Sequence, residues 1–115
     1  MRKRIYISGP MTNVPNLNRL AFENMASNLR TLGFLPIIPH DNGLPITATY
    51  EAHLVRDIET LLGCDGILLL NGWQHSKGAS IEAFAADQMQ IKTFFEGKST
   101  EKELTDWNLR NANNL

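Results

Sequence analysis

The chain has 115 residues, 43% hydrophobic and 20% charged, with 11 basic against 12 acidic side chains and a formal net charge of −1. That length builds one domain around one core, and the near-neutral balance gives no electrostatic footprint for a nucleic-acid polymer, which needs a clustered basic surface. A lone cysteine, Cys64, excludes an internal disulfide and any zinc-ligand spacing, so neither metal nor cofactor is expected.

Met1-Arg2-Lys3-Arg4 is a basic lead-in with no hydrophobic region behind it, which argues against a secretory signal and for a cytoplasmic protein. The longest apolar stretch is a few residues, far below the ~20 of a membrane span. Arg4 to Ser8 reads as the first strand and stops at Gly9-Pro10. After a turn-rich loop, Asn16 is the predicted N-cap of a helix whose Leu17, Leu20, Ala21, Met25, Leu29 and Leu32 follow helical spacing, with Gly33 at its C′ position. Phe34 to Ile38 is the second strand, and Pro36 and Pro39 place it at a sheet edge.

His40 to Thr47 reads as a loop. The second helix is predicted from near Thr49 to Leu62, with Tyr50, Leu54, Ile58, Leu61 and Leu62 on one stripe and Gly63 closing it. Gly66 to Leu70 is apolar without alternation, the mark of a central strand. A helix from Gly78 to Gln90 and a short strand at Thr93-Phe94-Phe95 follow. Ser99 or Thr100 then caps a last helix through Leu109, with Glu103 in a capping box and a frayed tail from Asn108 to Asn114. The organisation is therefore an α/β domain over residues 1–97 and a C-terminal helix and tail over 98–115. This βαβαβαβ alternation predicts a mostly parallel four-stranded sheet with helices on both faces. A flavodoxin-like strand order is the default, with a crevice beside the first and third strands.

Ligands in such sheets bind beyond the strands' C-terminal ends. Glu82 falls there, in Ser76-Lys77-Gly78-Ala79-Ser80-Ile81-Glu82, in the first turns of a helix whose amides are expected to keep it ionised. Asp57 on the preceding helix and Tyr6 on the first strand are candidates to meet it. Two carboxylates with separated pKa values suit chemistry at a glycosidic carbon: one captures the sugar, the other protonates the departing base. By spacing alone the same acids also fit solvated helix faces. Ser8, Gly9, Pro10, Met11 and Asn13 at the end of the first strand, and Ser76 and Gly78 after the third, form a candidate cradle for substrate; plain turn chemistry is the competing reading. Trp73 fits either a wall for a flat base or a packing side chain. His40 and His53 have no spaced partners and are assigned to no metal.

Tyr6-Ile7-Ser8-Gly9-Pro10, Asp57, Cys64-Asp65 and Ser76 to Glu82 together resemble the nucleoside 2-deoxyribosyltransferase superfamily. They resemble more closely a small, often phage-encoded, DUF4406-like branch, with similarity also to 2′-deoxynucleoside 5′-phosphate N-hydrolases. The resemblance runs from about Arg4 to Phe95. It implies a deoxyribosyltransferase-like fold, Glu82 as nucleophile, Asp57 as general acid and Tyr6 as the group that orients Glu82. It further implies an enzyme, hydrolase or transferase, that cleaves or exchanges the N-glycosidic bond of a deoxyribonucleoside or its 5′-monophosphate through a covalent sugar–Glu82 intermediate. The implied partners are a small nucleoside or nucleotide and further copies of the chain in a homodimer or larger homo-oligomer, with no nucleic-acid polymer and no membrane. A non-catalytic nucleotide-binding or sequestering protein on the same fold is the alternative. Where the hydrolases carry a glycine-rich, arginine-containing loop after the first strand, this chain has Gly9-Pro10-Met11-Thr12-Asn13.

Overall fold

The structure, a computed structural model, describes residues 2–113, with side chains described as far as residue 110. Strands β1 (Arg4–Ser8), β2 (Leu35–Ile37), β3 (Gly66–Leu69) and β4 (Lys92–Phe95) alternate with helices α1 (Arg19–Thr31), α2 (Tyr50–Leu62), α3 (Lys77–Gln88) and α4 (Glu101–Asn113). The strands form one parallel sheet in the order β2-β1-β3-β4. This is the expected flavodoxin-like order, with β1 and β3 as neighbours at the point where the winding reverses. The edge position of β2 suits Pro36, which has no amide to give to a second neighbour.

Period-two alternation sends the side chains of the central strands into two cores. Ile5, Ile7, Leu68, Leu70 and Phe94 pack with Phe22, Ala26 and Leu29 of α1 and with Leu104 and Trp107 of α4. On the other face Tyr6, Ile67 and Leu69 meet Leu61 of α2, Ala86 of α3 and Cys64. The Cys64 thiol donates to the Thr60 carbonyl at 3.3 Å and burial pushes its pKa up, as befits a packing residue. Asp65 lies at the opposite end of the sheet from the crevice, where its Oδ2 accepts the Arg4 amide at 2.8 Å.

The start of α1 departs from expectation. Asn16 caps nothing: Asn16, Leu17 and Asn18 have φ of 52°, 53° and 59°, a left-handed turn, and the helix opens at Arg19. The turn is held from outside, by Asn18 Nδ2 donating to the Pro10 carbonyl (3.0 Å) and His40 Nε2 donating to the Leu17 carbonyl (2.8 Å). Left-handed backbone costs a residue such as Leu17 about 1–2 kcal/mol, which these contacts offset. The new phase buries Phe22, Ala26 and Leu29, and leaves Leu20 71% exposed. At the other end Gly33, at φ 93°, terminates the helix as predicted.

Thr100 caps α4, its Oγ1 accepting the Glu103 amide at 3.1 Å, while Ser99 Oγ accepts the Phe95 amide at 2.9 Å. The helix continues past the expected end at Leu109 to Asn113, so the stretch from Asn108 is helical that far; Asn114 lies outside the described residues.

Gly9 ends β1 where a side chain has no room: a Cβ there would stand 2.8 Å from Leu70 Cβ. Gly9→Ala is expected to cost about 1–3 kcal/mol, read as a lower urea midpoint at unchanged slope. An unchanged midpoint would mean that the β1–β3 ends are more loosely packed than described.

Candidate active site

The alternation that puts Ile5 and Ile7 in one core turns Tyr6 and Ser8 toward α3, and α3 returns a carboxylate. The Tyr6 hydroxyl donates to Glu82 Oε2 at 2.8 Å, and Ser8 Oγ donates to Glu82 Oε1 at 2.6 Å. Ser76 caps α3 by accepting the Ala79 amide (3.3 Å), and the small Gly78 and Ala79 let this end of the helix sit close to its neighbours. Glu82 is only 6% exposed.

That burial sets the charge state. It raises the Glu82 pKa from 4.5 to about 7, against the Ser8 and Tyr6 hydrogen bonds, with the Asp57 charge adding to the rise. The expectation that α3 amides keep Glu82 ionised is therefore corrected. Glu82 lies in the second turn, its partners are two hydroxyls, and desolvation outweighs them. Burial, followed by the Glu82 and Asp57 charges, lifts the Tyr6 phenol well above 10, so it remains a hydrogen-bond donor.

Asp57 faces the same cavity as Glu82. Tyr50, His53, Leu54 and Asp57 occupy i, i+3, i+4 and i+7 of α2 and all line it, so part of the stripe expected to pack in the core faces a site instead. Asp57 is half-buried, and desolvation raises its pKa while the Asn42 hydrogen bond and the Arg56 guanidinium oppose the rise. The cavity holds about 540 Å³, within the range of small-molecule sites.

Four of the predicted cradle residues, Gly9, Met11, Ser76 and Gly78, line this cavity. Tyr6 and Ser8 stand behind Glu82, fully buried. Pro10, Asn13 and Trp73 do not line it. The Trp73 ring packs 6.1 Å from that of Phe95, centroid to centroid, against the α2/α3 core. Tyr50 presents a phenol ring on the cavity wall instead.

Sequence reasoning does not single out Asn42, which donates to Asp57 Oδ1 at 3.0 Å, nor Leu44, Ile46, Leu17 and Arg19 on the cavity wall. His40 and His53 also line it, though the described residues hold no group of three or more His, Cys, Asp or Glu side chains able to bind a metal. Arg19 reaches the wall already engaged, 2.9 Å from Glu23 Oε1 and 3.5 Å from Asp41 Oδ1. No helix among the described residues is long and apolar enough to cross a membrane.

A family model described as "Domain of unknown function (DUF4406)" matches residues 3–95. Among solved structures, the chain is similar to a 2-desoxiribosyltransferase from Leishmania mexicana, with 22% identity and a TM-score of 0.65 over 81% of this chain and 63% of that one. It is also similar to a 2-deoxyribosyltransferase from the psychrotolerant bacterium Bacillus psychrosaccharolyticus, with 20% identity and a TM-score of 0.63 over 90% of this chain and 80% of that one. The chain thus spans less than two thirds of the length of the Leishmania protein, and at these identities the likeness is one of fold. A comparison with curated proteins finds no match.

Proposed function

The chain belongs to the DUF4406 family, and for this member we propose cleavage or exchange of the N-glycosidic bond of a deoxyribonucleoside or deoxyribonucleoside 5′-monophosphate. The observation that carries the reading is the buried Glu82 carboxylate, held by Tyr6 and Ser8, on a cavity that Asp57 also faces. The fold shared with two 2-deoxyribosyltransferases supports it.

In this reading Glu82 attacks C1′ of the sugar as the bond to the base breaks, and a covalent sugar–Glu82 ester forms. Asp57 gives its proton to the departing base nitrogen. Water, or a second base, then attacks the ester from the vacated side while Asp57 takes a proton from it. The reactive arrangement has Glu82 ionised and the proton on Asp57, whose carboxyl desolvation raises. Tyr6 and Ser8 fix both oxygens of Glu82 and stabilise its ionised form. Tyr50, whose side chain borders the cavity, would stack on the base in this reading.

Incubation with a panel of deoxynucleosides and their monophosphates, with and without a free acceptor base, tests the proposal. Free base or a new nucleoside is the expected product; binding with no product after long incubation would instead favour a sequestering protein. Asp57→Asn is expected to slow base release by about 10²–10³-fold. The loss should be smallest for bases that leave without protonation, and an equal loss on every donor would remove Asp57 from the acid's role.

A further inference from the structure

Asn42, in the loop that leads into α2, has every polar atom of its side chain committed. The Leu44 amide donates to its Oδ1 at 3.0 Å, and because a backbone amide only donates, that atom must be the oxygen. The NH2 group therefore points the other way, with one N–H to Asp57 Oδ1 at 3.0 Å and the other to His53 Nδ1 at 3.0 Å. His53 closes the chain: the Pro45 carbonyl, 3.1 Å away, only accepts, so Nε2 carries the ring proton and Nδ1 is bare. Arg56 Nη1 donates to the Asn42 carbonyl at 2.9 Å and clamps the loop. His53, Arg56 and Asp57 stand at i, i+3 and i+4 of α2, so one helix face receives the whole loop.

We propose that Asn42 is a positioning residue for Asp57, holding one carboxyl oxygen as an acceptor so that the transferable proton resides on the other. The inference rests on the function proposed above. Oδ2 accepts no hydrogen bond from any described residue and is the oxygen left for substrate. As the C1′–N bond breaks, its electron pair stays on nitrogen. The Oδ2 proton moves to that nitrogen, Glu82 bonds to C1′, and Asp57 is left as a carboxylate. The Asn42 N–H···Oδ1 bond then becomes charge-assisted and strengthens as the proton departs, which stabilises the transition state more than the ground state. The other titratable or charged groups acting on the Asp57 carboxyl are His53 and Arg56 from its own helix, His40 from the Pro39–Asp41 turn, Glu82 from α3 and Tyr6 from β1.

The test compares wild type, Asn42→Ala and Asn42→Asp on two donors: a natural deoxynucleoside that wild type cleaves, and an activated deoxyriboside with p-nitrophenolate as leaving group. Asn42→Asp keeps an acceptor for Leu44 and removes both donors, so it separates the loop's integrity from the contact with Asp57. Both variants should lose about 10–100-fold in kcat on the natural donor, with KM within about twofold, and less than about threefold on the activated one. Equal losses on the two donors, or none on either, would overturn the inference while leaving the proposed activity intact. Nitrogen-15 NMR of wild type provides a readout that needs no turnover. His53 should hold the Nε2–H tautomer at neutral pH and lose that preference in Asn42→Ala. An Nδ1–H tautomer in wild type would overturn the bridge even if no donor is cleaved, whereas absent cleavage with the expected tautomer counts against the activity alone.

Discussion

Glu82→Gln is expected to lower kcat by about 10⁴-fold or more on every donor, with the protein still folded. The amide matches the carboxyl in size and keeps an oxygen able to accept from Tyr6 or Ser8, so the local packing survives. What it cannot do is form the ester to C1′. The loss should therefore be independent of the leaving group, unlike the selective losses expected for Asp57→Asn and for the Asn42 variants. Mass spectrometry of wild type quenched during turnover should find a deoxyribosyl adduct on the peptide that contains Glu82, and the variant should show none. A variant with near-normal turnover, or an adduct on a different residue, would remove Glu82 from the nucleophile's place. A large loss with no adduct in wild type, even with slowly hydrolysed donors, would point instead to direct attack by water with Glu82 as its base.

The parts of this site that the sequence discloses are those carried by local pattern. The unbroken apolar run of β3 marks it as central and Pro36 marks β2 as an edge; the order itself is not legible and rests on a flavodoxin-like default, which the sheet matches. Strand alternation then commits Tyr6 and Ser8 to one face of β1, and a serine-capped helix with small residues brings Glu82 to them. What stays illegible depends on contacts distant in the chain. The left-handed turn at Asn16 to Asn18 exists because His40 and Pro10 hold it, and no propensity at Asn16 announces that. Helical spacing in α2 shows that one face meets something other than bulk water. It does not distinguish a core from a cavity, so Tyr50 and Leu54 read as packing residues when they line a site. Asn42 looks like an ordinary turn residue until α2 delivers His53 and Asp57, 11 and 15 positions later, to its amide. Trp73 misleads the other way: its place just beyond β3 suggests a wall of the site, and Phe95 claims the ring. The ionisation of Glu82 is hidden for a similar reason. A helix start argues for charge, whereas burial beneath the cavity, a property of the whole fold, argues against it more strongly.

That burial makes the protein's stability depend on pH in a direction opposite to the usual carboxylate. The Glu82 carboxyl titrates near 7 when folded and near 4.5 when it is not. Between those values the unfolded chain has released a proton that the folded chain still holds, so unfolding is favoured as pH rises. The penalty is absent below about pH 4.5, grows as pH rises toward 7, and levels off above it. Its full size is about 3 kcal/mol, since a tenfold change in proton affinity between the two states is worth about 1.4 kcal/mol. For a domain of this length that corresponds to a fall in Tm on the order of 10 °C. Asp57 acts in the same direction, its carboxyl being raised as well. Glu82→Gln, which cannot ionise, is expected to be more stable than wild type at pH 8 and close to it at pH 4.5, with a flatter profile between. Chemical denaturation of both proteins at half-unit steps of pH measures this directly. Parallel profiles would mean that the carboxyl is solvated in the folded protein, and the raised pKa would then have no part in catalysis. If instead the profiles diverge as described, the carboxyl is desolvated in the folded protein, and under the proposed function that instability is a cost of activity. A carboxyl buried under a cavity destabilises the protein at neutral pH, and in the proposed mechanism a nucleoside that orders the site around an ionised Glu82 should restore part of that loss.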